Sequence, residues 1–121
     1  MDEFIDQALL DLIRRTIRAG WVSVFNDPYS DFKEYTVHLS NESLLVLSRI
    51  RLSTSPSETI YEYVISVGED DVAGAVVSTK DKLHTPAQQV VLELFCMCAR
   101  QIVAQEMRGL LNSQAEKVYH S

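Results

Sequence analysis

At 121 residues, with 46% hydrophobic and 23% charged side chains, the chain suits one globular domain and is too short for a second core. Its 11 basic and 17 acidic residues leave a net charge of -6, which disfavours a broad electrostatic grip on nucleic-acid phosphates. No apolar run reaches the roughly 18 residues of a membrane helix, and the Met-Asp-Glu start lacks a signal peptide's layout, so the expected location is the cytoplasm.

Residues 2–19 read as a helix. Ile5, Leu9, Leu12, Ile13 and Ala19 recur at helical spacing. Asp2, Glu3 and Asp6 open the segment and Arg14, Arg15 and Arg18 close it, the order that complements the helix dipole. Gly20 is the expected left-handed stop. Residues 21–25 suit a short strand, and 26–31 a turn-rich loop. Phe25 and Phe32 read as anchors of that loop in the core, which leaves Tyr29 for a partner.

The middle of the chain reads as strands separated by turns. Strands are expected at 34–39, 44–52 and 59–67, with a fourth at 72–79. The turns are Ser40–Ser43, Thr54–Ser57 and Gly68–Asp71. Centring each hairpin on its turn pairs Val37 with Val46 and Glu34 with Arg49. It then pairs Val46 with Ile65, Ile50 with Tyr61, and Arg49 with Glu62. The last hairpin pairs Val67 with Val72 and Tyr63 with Val76. On this register Tyr35, Val37, Val46, Ile50, Tyr63 and Ile65 share the core face. Arg49 sits between Glu34 and Glu62 on the other face, beside Leu45, Leu47, Ile60, Val64 and Val77. Those aliphatics are too apolar for a solvated surface, so a helix or a second subunit should cover them.

The last element is a long helix from Pro86 to about Leu111. Thr85 and Gln88 form a capping box, and Pro86 takes the first helical position. Such a helix is longer than a four-strand sheet is wide, so it should overhang. Its apolar residues run almost all round, which signals burial on several sides.

The chemistry-bearing residues form no catalytic pattern. Cys96 and Cys98 project about 200° apart on a helix, so they neither ligate one metal nor bond to each other. His38, His84 and His120 lack a metal-binding spacing. No Gly-x-Ser-x-Gly, phosphate loop or calcium loop occurs. No cofactor is implied.

The sequence thus reads as a single α+β domain over 1–121: an N-terminal helix, an antiparallel meander of three to four strands, and a long C-terminal helix. The expected function is non-enzymatic. It is a protein-binding module acting as a small acidic inhibitor, adaptor or chaperone of a larger partner, such as phage-encoded inhibitors and small secretion chaperones. The apolar surplus also favours a homodimer. Candidate partner or dimer contacts are Tyr29, Leu45, Leu47, Arg51, Ile60, Val64, Ile102 and Met107. Two alternatives are a nucleic-acid-associated dimer using Arg51 with the basic end of the first helix, and an enzyme with an unfamiliar site.

Overall fold

The structure, a computed structural model, describes residues 6–39 and 44–120, with side chains given for all of these except 44 and 115–120. The order is α1 (Gln7–Ala19), β1 (Trp21–Asp27), β2 (Phe32–His38), β3 (Leu44–Ser55), β4 (Glu58–Val67), β5 (Asp70–Ser78) and α2 (Pro86–His120). The five strands form one antiparallel meander in sequence order. The expected α+β arrangement is the observed one, with 21–27 adding a fifth strand.

Local signals explain the helix starts. The Asp6 carboxylate accepts from the Leu9 N–H at 2.9 Å and caps α1; Asp2 and Glu3 lie outside the described residues. At α2 the capping box is complete. Thr85 N–H donates to Gln88 Oε1 at 2.8 Å, and Gln88 N–H donates to Thr85 Oγ1 at 3.2 Å. Gly20 corrects one expectation, because its backbone is extended (φ -86, ψ 174) and not left-handed. Glycine is required there by space: a Cβ would lie 2.7 Å from Val37 Cγ1 and 2.8 Å from the Thr16 carbonyl oxygen.

Away from the bulges next to the turns, the strand register differs from the sequence reading by one residue in each hairpin. Tyr35 faces Leu47 and Val37 faces Leu45. Leu47 faces Ile65 and Arg49 faces Tyr63. Tyr63 faces Ala75. Two of the causes are bulges. Ser55 pairs with Glu58 across a two-residue turn, and Leu52 is then an extra residue between the Arg51 and Ser53 pairs. Val67 pairs with Asp70 across Gly68–Glu69, with Gly68 at φ 63, and Val72 is the extra residue. The expected turn at Ser40–Ser43 lies outside the described residues, but the flanking His38–Leu44 pair makes its loop odd in length. Each one-residue shift reverses a strand's faces. The shifts cancel between β2 and β4, so Tyr61, Tyr63 and Ile65 keep the expected face, while β3 and β5 are reversed.

One core follows. Leu45 and Leu47 are 2% and 1% exposed. They pack with Tyr35, Val37, Ile65, Ala75 and Val77 beneath Leu10, Ile13 and Ile17 of α1 and Val91, Leu94 and Cys98 of α2. Both helices therefore lie on the same face of the sheet. Phe95 of α2 fixes the crossing, with its ring edge-on to Tyr35 at 4.8 Å and to Tyr63 at 5.2 Å.

Two glutamines fasten α2 to opposite sheet edges. Gln88 Nε2 donates to the Val76 carbonyl of β5 at 2.8 Å. Gln105 Oε1 accepts from Val22 N–H at 2.7 Å, and its Nε2 donates to the Val22 carbonyl at 2.9 Å on β1. Their separation along the helix is about 25 Å, against about 19 Å across five strands, so α2 crosses obliquely. Gln105 also occupies edge groups that another strand could use. Beyond it, residues 106–114 are all exposed, and α2 overhangs the sheet as expected. The helix continues to His120, past the expected end near Leu111 and through Gly109.

Candidate functional site

Side chains alternate across each strand, so the face opposite the helices is set by register. It carries Trp21 and Phe25 of β1, Phe32 and Glu34 of β2, Val46 and Ile50 of β3, Glu62 and Val64 of β4, and Val76 of β5. Among the described residues no element covers this face. At the β1 end it is aromatic: Trp21 is 61% and Phe25 59% exposed. The Phe25 and Phe32 rings are 6.1 Å apart. Further across the sheet it becomes aliphatic, with Ile50 and the bulged Leu52 exposed. Val64 is buried there, outside the helix-side core. Glu34 and Glu62 are the acidic groups on these central positions, and serines and threonines at 23, 36, 48 and 66 fill the gaps.

This placement corrects several expectations. Leu45 and Leu47 are not available to a partner, because the helices cover them. Phe25 and Phe32 do not anchor the loop in the helix-side core. They stand on the open face because Val22, Val24 and Tyr35 take the helix side. Ile60 is half-buried, and Ile102 is half-buried against the core. Tyr29 is 94% exposed at the β1–β2 turn, and Met107 is exposed on the overhanging part of α2. Arg51 is exposed, but it lies at the opposite end of the strands from Arg18, which lines a cleft with Gly20 and Trp21. The two do not form one basic surface. The aromatic cluster escaped the sequence reading; the alternation Trp21-Val22-Ser23-Val24-Phe25 was the signal that could have revealed it.

Arg49 does not meet Glu34 and Glu62. It lies on the helix side, between Lys33 and Tyr63. Its guanidinium stands 4.6 Å from the Tyr61 ring centre and donates to Asp31 Oδ1 at 2.8 Å. Tyr61 O–H donates to the other Asp31 oxygen at 2.6 Å. These contacts hold Asp31 at φ 53, a conformation unusual outside glycine. The Tyr61 hydrogen bond, then the nearby Arg49 charge, holds the Asp31 carboxyl below its usual range, and the same bond raises the Tyr61 hydroxyl. The cluster locks the β1–β2 turn.

The cysteines lie on opposite sides of α2, Cys96 exposed and Cys98 buried, and both are free. Burial pushes the Cys98 thiol up to about 12, so it stays protonated and unreactive. Among the described residues no three His, Cys, Asp or Glu side chains converge as a metal site, and no helix is long and apolar enough to cross a membrane. Comparison of the chain with family models, with curated proteins and with solved structures returns no match.

Proposed function

We propose that this chain is a non-enzymatic protein-binding module of the cytoplasm, docking on a larger partner as an inhibitor, adaptor or chaperone. The observation that carries this reading is the open sheet face. The Phe25 and Phe32 rings, 6.1 Å apart, stand beside the exposed Ile50 and Leu52 on this face, without a covering element among the described residues. Contiguous exposed apolar surface on a rigid sheet is characteristic of interaction sites, and aromatic side chains supply most of the energy in such contacts. The exposed Cys96 thiol suits a reducing compartment.

A photo-crosslinking residue placed at Phe25 or Ile50 tests the reading in the source cell. It should give a discrete adduct with one larger protein, and the same group at exposed Arg15 should not. Identical patterns from all three positions would remove the case for this face.

A second reading, a homodimer, is favoured by a separate observation. Val103, Met107, Leu110 and Leu111 are all exposed along the distal half of α2, and they fall on one side of the helix. Two such stripes can pack against each other about a two-fold axis. Light scattering distinguishes a species of twice 13.7 kDa from a monomer.

A further inference from the structure

The seam between α1 and α2 has an unusual charge arrangement. At its upstream end Arg14 pairs with Glu93, Nη2 to Oε2 at 2.8 Å. Downstream, Gln101 Nε2 donates to the Arg18 carbonyl at 3.2 Å and to the Gly20 carbonyl at 3.4 Å. Those bonds satisfy the end of α1 and set Gln101 as a low ridge between two adjoining clefts. One, of about 380 Å³, is lined by Arg18, Trp21, Gln101, Arg108 and Asn112 among others. The other, of about 260 Å³, takes in Arg18, Met97, Arg100 and Ala104.

Among the described residues no carboxylate lines either cleft. Among the described residues Arg18, Arg100 and Arg108 make no ion pair. Of the described acids along this part of α2, Glu93 holds Arg14 and Glu106 lines the groove on the β1 side. In a chain of net charge -6, three arginines without counter-ions among the described residues, spread along two adjoining clefts that share Arg18 and Gln101, mark a place where an anionic group belongs. From Met97 to Asn112 the groove runs about 22 Å along α2, the length of six or seven extended residues. Met97 lies at the upstream end, Ala104 lies between Arg100 and Arg108, and Asn112 stands at the far end.

We infer that this groove binds an extended acidic peptide segment, whose carboxylates pair with Arg100, Arg18 and Arg108 while aliphatic side chains rest on the residues between. The inference rests on the protein-binding reading and names a second contact with the partner, on the helix side of the molecule. Charge complementarity selects the occupant. Three separated guanidiniums each suit a carboxylate, and among the described residues Trp21 is the only aromatic one lining either cleft. Sequence-tolerant single-strand binding needs a succession of stacking platforms, and one tryptophan does not supply a succession.

The test is fluorescence anisotropy with a labelled eight-residue peptide of alternating glutamate and leucine. The full chain should bind it at low salt and release it as salt rises. Arg18→Glu and Arg108→Glu should each weaken binding about tenfold or more. Lys82→Glu, the same charge change in an exposed loop, should leave it within about twofold. Arg18→Gln and Arg108→Gln keep the test valid if a charge reversal unfolds the chain. A glutamine–leucine peptide should not bind. The inference is overturned if the acidic peptide fails to bind, if the arginine variants bind it as the parent does, or if oligothymidylate binds more tightly with the same arginine dependence. Crosslinks from Phe25 and Ile50 that persist alongside any of these results would show that the groove inference alone has failed; loss of those crosslinks with peptide binding intact would remove the sheet-face reading.

Discussion

The two faces of the sheet are built from similar amino acids and have opposite fates. On β3, Leu45 and Leu47 are sealed beneath the helices, while Ile50 and Leu52, a few residues along, stand partly in water. On β1, Val22 is buried and fastened at its backbone by Gln105, while Trp21 and Phe25 are exposed beside it. Hydrophobicity alone therefore does not say which side of this sheet is core. The difference comes from where the helices attach. Both enter from the same side, α1 through the tight passage at Gly20 and α2 through its glutamine contacts at the two edges. An antiparallel sheet tolerates one uncovered face; here that face is more apolar than solvation requires, which is the basis for assigning it to a partner.

Truncation should separate the faces most sharply. Leu47→Ala removes a buried side chain and should cost about 2–5 kcal/mol, whereas Ile50→Ala should cost under about 1 kcal/mol because that side chain is already partly solvated. Urea denaturation of the two variants measures the gap, and equal losses would mean that the open face is covered.

The buried side also sets an alkaline limit. The Cys98 thiol is raised from 9.0 to about 12 by burial, so the folded state keeps a proton that the unfolded chain releases above about pH 9. Its contribution is therefore present below that pH and is lost as pH climbs toward 12. A Cys98→Ala variant should lose less stability over this interval than the parent. At neutral pH a thiol reagent should label Cys96 quickly and Cys98 only as the chain unfolds, which mass spectrometry resolves.

Gly20→Ala should cost about 1–3 kcal/mol, because the new methyl meets Val37 and the Thr16 carbonyl and the backbone must shift. Thermal unfolding reads this directly. Asp31→Ala should cost about 1–2 kcal/mol by leaving Arg49 and Tyr61 without their shared acceptor. In the parent the Asp31 contribution should fade as pH falls below 3.8, since its carboxyl is held below that value when folded. The smallest effect belongs to the open face: Phe25→Ser should change stability by roughly 0.5 kcal/mol or less while abolishing partner adducts.

Much of the candidate surface was within reach of the sequence, and the part that was missed has a definite cause. β2 and β4 were assigned their correct faces. β3 and β5 were reversed because both are apolar at consecutive positions, Leu45-Val46-Leu47 and Val76-Val77. Such runs satisfy either register, so centring each hairpin on its turn does not decide which side of β3 or β5 is core. The arginine groove was hidden for another reason. Arg18 and Arg108 are ninety residues apart in the chain, and only the docking of α1 beside α2 brings them to one cleft.

Local chemistry by itself determined the elements of this protein. Asp6 and the Thr85–Gln88 box start the two helices, and turn residues separate the strands. These are interactions within a few residues of chain, and no distant partner is needed to read them. Tertiary structure decided the faces. A bulge at Leu52, another at Val72 and an odd-length loop before Leu44 each move a strand by one residue. Such a step costs little locally and reverses every side chain beyond it. Which register wins is set by the packing of α1 and α2 over the whole sheet, where burying Leu45, Leu47, Ala75 and Val77 together outweighs the alternatives.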